Sequence, residues 1–352
     1  MLKINETPVR TSKIFGINNI KIPDMIIPNK IEEFDNMTIT GDTSYIEITD
    51  NIDNYDMTYG LGDTFKNQII QESNKKIKLL ITDKVEDVIY LDFDFNEENA
   101  NLVESIQIIA KENSKANIVI KYKSDDESAN YHNGFIKLIS EKESNINIVV
   151  INMMNSSSNN FLSIDNEIEA NARSKFTTID FGGERTIVNY YSNLIGKEAD
   201  NTINTIYTGK DKQLFDYNYI AELRGEKSNI NMEIQGALND RAEKHFKGTI
   251  DFKKGAKKAT GDENEFCMLL SKNARSKALP MLLCSEEDVD GNHSSAAGKV
   301  DEKALFYIMS RGFSYKEAMK LIIKTKFNNI LENIGIESLK EEIIEEIDRR
   351  LD

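Results

Sequence analysis

Four stretches of the chain, IIAKENSKANIVI, LISEKESNINIVV, LIGKEADNTINTI and LRGEKSNINMEI, follow one plan. An apolar pair leads into a charged or glycine-containing turn, then a small residue, then a run in which apolar and polar residues alternate. Alternation with period two marks half-buried strands. The small residues Ser114, Ser144, Ser174, Ala199 and Ser228 are spaced 30, 30, 25 and 29 residues apart. Between them and around them lie KKIKLLITD, VIYLDFDF, TIVNYYSNLIG and other segments rich in Ile, Val, Phe, Tyr and Thr, with no helical period before about residue 300. A repeat of this length made only of strands predicts a β-solenoid, in which no coil buries its inner face alone and stacking supplies a continuous core. The serines should then lie in turns along one side of the stack. A β-sandwich built from similar hairpins is the alternative.

The repeat also divides the chain. Residues 1–75 carry Pro8, Pro23 and Pro28 among short apolar groups, and Gly60, Gly62 and Asp63 mark a turn, so this segment reads as extended chain with little helix. Residues 76–299 form the strand repeat. Residues 300–352 change to helical patterning: Asp301 is placed to cap a helix ending at Gly312, with Leu305, Phe306, Ile308 and Met309 as its apolar face. Ser314 with Glu317, and Ser338 with Glu341, have the spacing of capping boxes. The stripe Ala318, Met319, Leu321, Ile322 and Ile323 follows the first of them. Three short helices cannot bury all these side chains among themselves, so some face the strands or a partner.

Composition narrows the function. The 352 residues hold 59 acidic against 44 basic side chains, for a net charge of -15, which disfavours nonspecific nucleic-acid binding. No apolar run is long enough to span a bilayer, and the first residues have no signal-like stretch, so a cytoplasmic location is expected. Two cysteines, Cys267 and Cys284, do not make a disulfide framework and read as small buried hydrophobes. The run GNHSSAAGKV separates Gly291 from Gly298-Lys299 by six residues, with Val300 where a magnesium-binding hydroxyl would stand, so it is not a phosphate loop. His132 and His245 have no nucleophile beside them and read as surface residues, whereas His293 lies in the unusual run EEDVDGNHSSAAGKVDE. Cys267, Cys284 and His293 lack zinc-ligand spacing, although stacked coils could bring some of them together.

Residues 246–327 contain, in order, Phe246-Lys-Gly248, Leu269-Leu270, Ala274, Pro280, Asp288-Val289, His293, Gly298, Leu305-Phe306-Tyr307, Ser310-Arg311-Gly312, Ala318 and Phe327. This run resembles the C-terminal core of the SufB/SufD family of iron–sulfur cluster assembly, and DFGGE and DYNYIAELRGEKSNINMEIQGAL extend the resemblance over roughly 160–330. Ser294 and Ala274 stand where SufB proteins carry Glu and Cys, which makes the chain most similar to SufD. Gly291 stands where some SufD proteins carry Cys, and Leu223-Arg224 where the family often has a His.

The resemblance implies a right-handed β-helix core with a C-terminal helical module, and a non-catalytic scaffold subunit with no stably bound cofactor. It implies a SufB-like partner and a SufC-like ATPase, with homodimer formation when isolated, and no nucleic acid or membrane. His293, with Cys284 as the weaker candidate, would handle transient iron or an iron–sulfur cluster at the partner interface. Phe306, Tyr307, Arg311, Met319, Ile322 and Ile323 would form the partner-binding surface. The alternatives are a SufB-like homodimeric scaffold, needing a thiolate such as Cys284 at its edge, and a β-helix enzyme acting on polysaccharide.

Overall fold

The computed structural model of the chain describes residues 1–11, 15–48, 52 and 56–351, with the backbone alone at 46–48. The expectation for residues 1–75 therefore falls partly outside the described residues, at 12–14, 49–51 and 53–55, as does the last residue of the helical module. Four short strands open the chain: β1 (Leu2–Ile4), β2 (Ile20–Ile22), β3 (Met37–Thr40) and β4 (Ile46–Ile48), followed by helix α1 (Asp63–Glu72). Next come β5 (Lys75–Ile81), β6 (Ile89–Phe95), β7 (Asn101–Ala110), β8 (Lys115–Ser124), β9 (Tyr131–Ser140), β10 (Asn145–Met153), β11 (Asn159–Ile168) and β12 (Arg173–Asp180). The last strands are β13 (Arg185–Leu194), β14 (Asp200–Gly209), β15 (Leu214–Leu223), β16 (Asn229–Leu238), β17 (Glu243–Phe252), β18 (Ala259–Leu269), β19 (Arg275–Cys284) and β20 (Val289–Gly298). Helices α2 (Glu302–Ser310), α3 (Tyr315–Glu332) and α4 (Glu337–Arg350) complete the chain.

Odd strands from β5 to β19 form one sheet and even strands from β6 to β20 the other. Every ladder within this stack is parallel, which hairpins cannot produce, so the sandwich alternative falls and the β-solenoid stands. Each coil takes 26 to 32 residues, one strand in each sheet. Alternate side chains point into a lumen filled by Ile, Leu, Phe and Tyr, including Ile118, Ile148, Phe176, Tyr190, Tyr217 and Phe246, all essentially inaccessible to water.

One corner of the coil repeats six times. Asn113, Glu143, Asn171, Glu198, Lys227 and Lys258 each adopt φ between 56° and 64°. The N–H of each donates to a carbonyl in the next coil's turn, at 2.5–3.2 Å, so the left-handed conformation is held by turn-to-turn stacking. The residue that follows points inward at the tightest part of the corner and must be small: Ser114, Ser144, Ala172, Ala199, Ser228 and Ala259 are at most 1% exposed. Ala172, not Ser174, is the third rung. Ser174 lies two positions further on, inside β12, paired with Ile146 and Asn201. The 28-residue coil there is shorter than the one before it, which shifts the ladder by two.

Both outer faces of the solenoid are covered. On the odd-numbered sheet lie β1, β2 and α1, whose Ile4, Ile20, Ile22, Phe65 and Ile69, with Leu61 just before α1, pack on Val103, Phe135, Phe161 and Ile187. The segment is therefore less irregular than expected. Asp63 starts a helix after the positive-φ Gly60 and Gly62, and the ten-residue α1 buries only Phe65, Gln68 and Ile69, too few to print a clear period on the sequence. Polar groups tie it down as well. Lys247, fully buried, donates to the Asn5 carbonyl at 2.9 Å and to Asp216 at 2.6 Å. β3 and β4 pair antiparallel with β6 and β5 and so close the first coil.

On the even-numbered sheet lie α3 and α4. Ile323, Phe327, Ile330, Leu331, Leu339, Ile343 and Ile347 pack on Val119, Val149, Ile179, Ile206 and Ala237. Asp301 and the Ser314–Glu317 box cap α2 and α3 as their spacing indicates. Ser338 does not cap: α4 already begins at Glu337, with Ile336 at the cap position and no side-chain hydrogen bond there.

Candidate functional site

Among the described residues no strand pairs with the outer edge of β19 or β20, so the last coil leaves the lumen uncapped. β20 pairs in register with β18, and its inward positions Gly291, His293, Ser295 and Ala297 stand over Gly261, Glu263, Glu265 and Cys267. The outward positions form their own rungs, with Asn292 donating to Asp262 at 3.1 Å and Ser294 to Asn264 at 2.7 Å. His293 thus sits on the inner face of the last strand, yet is exposed because nothing stacks above it.

Beneath it the lumen turns from apolar to charged. Lys244 and Glu265 form a fully buried ion pair of 2.5 Å, and Ser295 donates to the second Glu265 oxygen at 2.7 Å. Glu263, two residues earlier, is 1% exposed, and neither of its oxygens has a hydrogen-bond partner. Burial, with the Glu265 charge beside it, pushes its carboxyl up to about 8. Cys267 is fully buried and its thiol is also pushed up by burial.

The two metal candidates do not come together. His293 lies mid-way along β20, whereas Cys284 closes β19 and donates its thiol hydrogen to the Glu286 carbonyl at 2.8 Å. Cys284 is exposed, against the expectation of a buried thiol, because the end of the last strand has no coil above it. Among the described residues no group of three His, Cys, Asp or Glu side chains is arranged to hold a metal ion. Imidazole and carboxylate suit ferrous iron and a thiolate suits a cluster, but this chain alone supplies an incomplete donor set.

His132 and His245 are not surface residues. His132 is fully buried inside β9, with its ring nitrogens 2.6 Å from Asn160 Oδ1 and 3.3 Å from Glu104. Apparent polarity misleads here because ANYHNG contains the first residues of a buried strand, not a turn. His245 lies between Glu243 at 2.8 Å and Asp216 at 3.3 Å; burial disfavours its charge, but the two carboxylates prevail and its pKa is raised.

A second feature lies on the helices. No residue of α2 is buried. Phe306 is 75% exposed and Tyr307 58%, and the Arg311 guanidinium covers the Tyr307 ring at 5.1 Å while donating to its hydroxyl at 3.0 Å. Phe313, Tyr315 and Leu321 extend this apolar surface, and Met319 and Ile322 border it half-buried. Ile323 faces the opposite way and is 1% exposed against the sheet, so it is not part of it.

Residues 93–326 match the family model described as SUF system FeS cluster assembly, SufBD core domain. The chain is 30% identical over 166 residues to the iron-sulfur cluster assembly protein SufD of Bacillus subtilis, covering 47% of this chain and 38% of that protein. It is 27% identical over 175 residues to an iron-sulfur cluster assembly SufBD family protein of Pyrococcus horikoshii, covering 50% and 39%. To SufD of Escherichia coli it is 28% identical over 114 residues, covering 32% and 27%. These matches span less than half of each relative's length. The family match reaches upstream of the motif-bearing stretch because β6 to β11 keep the strand pattern without its signature residues. With a solenoid of eight coils, a helical appendage and a family match over most of its length, the chain belongs to the SufBD core family of iron–sulfur cluster assembly.

Proposed function

We propose that this chain is a SufD-like, non-catalytic scaffold subunit that pairs with a SufB-like subunit through the uncapped end of its solenoid and docks a SufC-like ATPase on α2 and the start of α3. The observation that carries the reading is α2 itself: a capped helix that buries none of its own residues and still presents Phe306 and Tyr307 to solvent. Exposed aromatics on an otherwise unneeded helix fit a partner surface rather than a fold requirement. The strand edge of β20, with the small residues Ser294 to Gly298, supports pairing with a second chain at close approach. There His293 would present its imidazole to iron or cluster as cargo, with thiolate or sulfide supplied from across the interface.

Co-expression with SufB-like and SufC-like subunits tests this reading. The three should co-purify. A Phe306→Ala/Tyr307→Ala variant should lose the ATPase subunit while keeping the SufB-like one. His293→Ala should keep both and lose iron or cluster content. Retention of the ATPase subunit by the double variant would overturn the docking assignment. The exposure of Cys284 favours one second reading, a self-paired scaffold with two copies of Cys284 and His293 at a common edge. A chain that stays monomeric when purified alone, without partners, removes that alternative.

A further inference from the structure

Glu263 has an unusual position for a buried acid. It is 1% exposed, both of its oxygens are without partners, and Glu265 two residues away has both of its own satisfied. An unpartnered buried carboxylate is costly, and folds retain one where something else uses it. The backbone makes room for it. A Cβ placed on Gly248, in the opposite sheet, would lie 2.1 Å from Glu263 Oε2, so the glycine of the Phe246–Gly248 run lets this side chain cross the lumen. Directly above it in register is His293, the exposed inward residue of the uncapped strand. Neighbouring strands lie about 4.8 Å apart and paired side chains point the same way, which brings an imidazole and a carboxylate within reach of one ion.

We propose that Glu263 and His293 together form a half-site for a divalent transition-metal ion, ferrous iron in the assembly role, at the uncapped end of the solenoid. Water or a facing chain completes the coordination. The proposal rests on the reading of His293 given above and adds the ligand below it. One nitrogen and one carboxylate oxygen favour first-row divalent ions over magnesium or calcium, which prefer oxygen alone.

The test uses the full chain under anaerobic conditions, with Co2+ as the probe. Calorimetric titration and cobalt X-ray absorption should show one site carrying one imidazole. Glu263→Gln should weaken binding about tenfold or more and keep the imidazole signature; His293→Ala should remove the signature. Glu263→Gln should unfold near the wild-type temperature, because a buried carboxyl that burial keeps largely protonated near neutral pH gives way to a neutral amide of the same shape. Glu263→Leu, which fills the space with no donor atom, serves if the amide perturbs the fold. Wild-type affinity in the Glu263 variants with loss in His293→Ala overturns the half-site while leaving the role of His293 intact. Wild-type binding in both shows only diffuse association with an acidic surface and overturns it too. Co-purification with partners is scored separately, so loss of the half-site and loss of the scaffold reading remain distinguishable.

Discussion

Lys244 and Glu265 reach across the lumen from opposite sheets and meet at 2.5 Å, with both side chains closed off from water. Their attraction is offset by the loss of hydration on both, so the pair as a whole adds little stability, whereas either partner left alone is expensive. Lys244→Met should therefore cost about 3–5 kcal/mol. Replacing both, as in Lys244→Met/Glu265→Leu, should recover most of that in denaturant unfolding. A double variant as unstable as the single one would show that the pair itself carries net stability.

The left-handed corner predicts a gain. Lys227 adopts φ of 56°, a conformation that asparagine tolerates better than lysine. Its side chain makes only an exposed contact with Glu198 at 3.4 Å, worth little. Lys227→Asn should raise stability by up to about 1 kcal/mol, read as a higher midpoint in thermal unfolding. Lys227→Val should do the reverse.

Asp180 sets a pH dependence. It is buried, accepts from Tyr217 at 3.0 Å and from Asn152 at 3.4 Å, and burial nevertheless raises its carboxyl to about 7. In the unfolded chain the proton leaves near 3.8. Between these values the native state binds more protons, so its stability falls as pH rises and levels off above about 7. The span corresponds to a loss of a few kcal/mol at about 1.4 per unit. Asp180→Asn should flatten this slope between pH 4 and 7. An unchanged slope in denaturant midpoints against pH would assign it to other groups.

The helical module separates folding from docking. Phe327, on the buried face of α3, is 1% exposed, and Phe327→Ala should cost about 3–5 kcal/mol and free the helices for proteolysis near residue 300. Phe306→Ala, at 75% exposure, should change stability by less than about 0.5 kcal/mol. Equal losses in the two variants would mean that α2 supports the fold.

The stack was legible because its physics is local and repeated. A period-two strand, a turn and a small corner residue recur, and the His293 run stands out by composition. What escaped needed the third dimension. Ser174 and Ala172 are both small, and only the ladder tells which one occupies the corner. Polar residues in His132's strand hid a buried strand, since a solenoid lumen can satisfy Asn, Glu and His by pairing them between coils. Cys284 reads as core by residue type, and its exposure comes from its place at the end of the last strand of its sheet among the described residues. Glu263 was one acid among 59, distinguishable only once its register with His293 and its approach to Gly248 were known.

Parallel in-register coils also make the length of this molecule come in steps. Each coil adds roughly 4.8 Å to the axis, and residues enter or leave without penalty to the pattern only as whole coils. Removing residues 173–199 would join Ala172 to Asp200, set β14 against β10 and β15 against β11, and keep every inward residue inward. Deleting one residue within β14 would instead turn the remainder of that strand inside out. Chain length in such a fold therefore drifts in units of about one coil, and the distance between its closed first coil and its exposed last one works as a ruler graduated by counting turns.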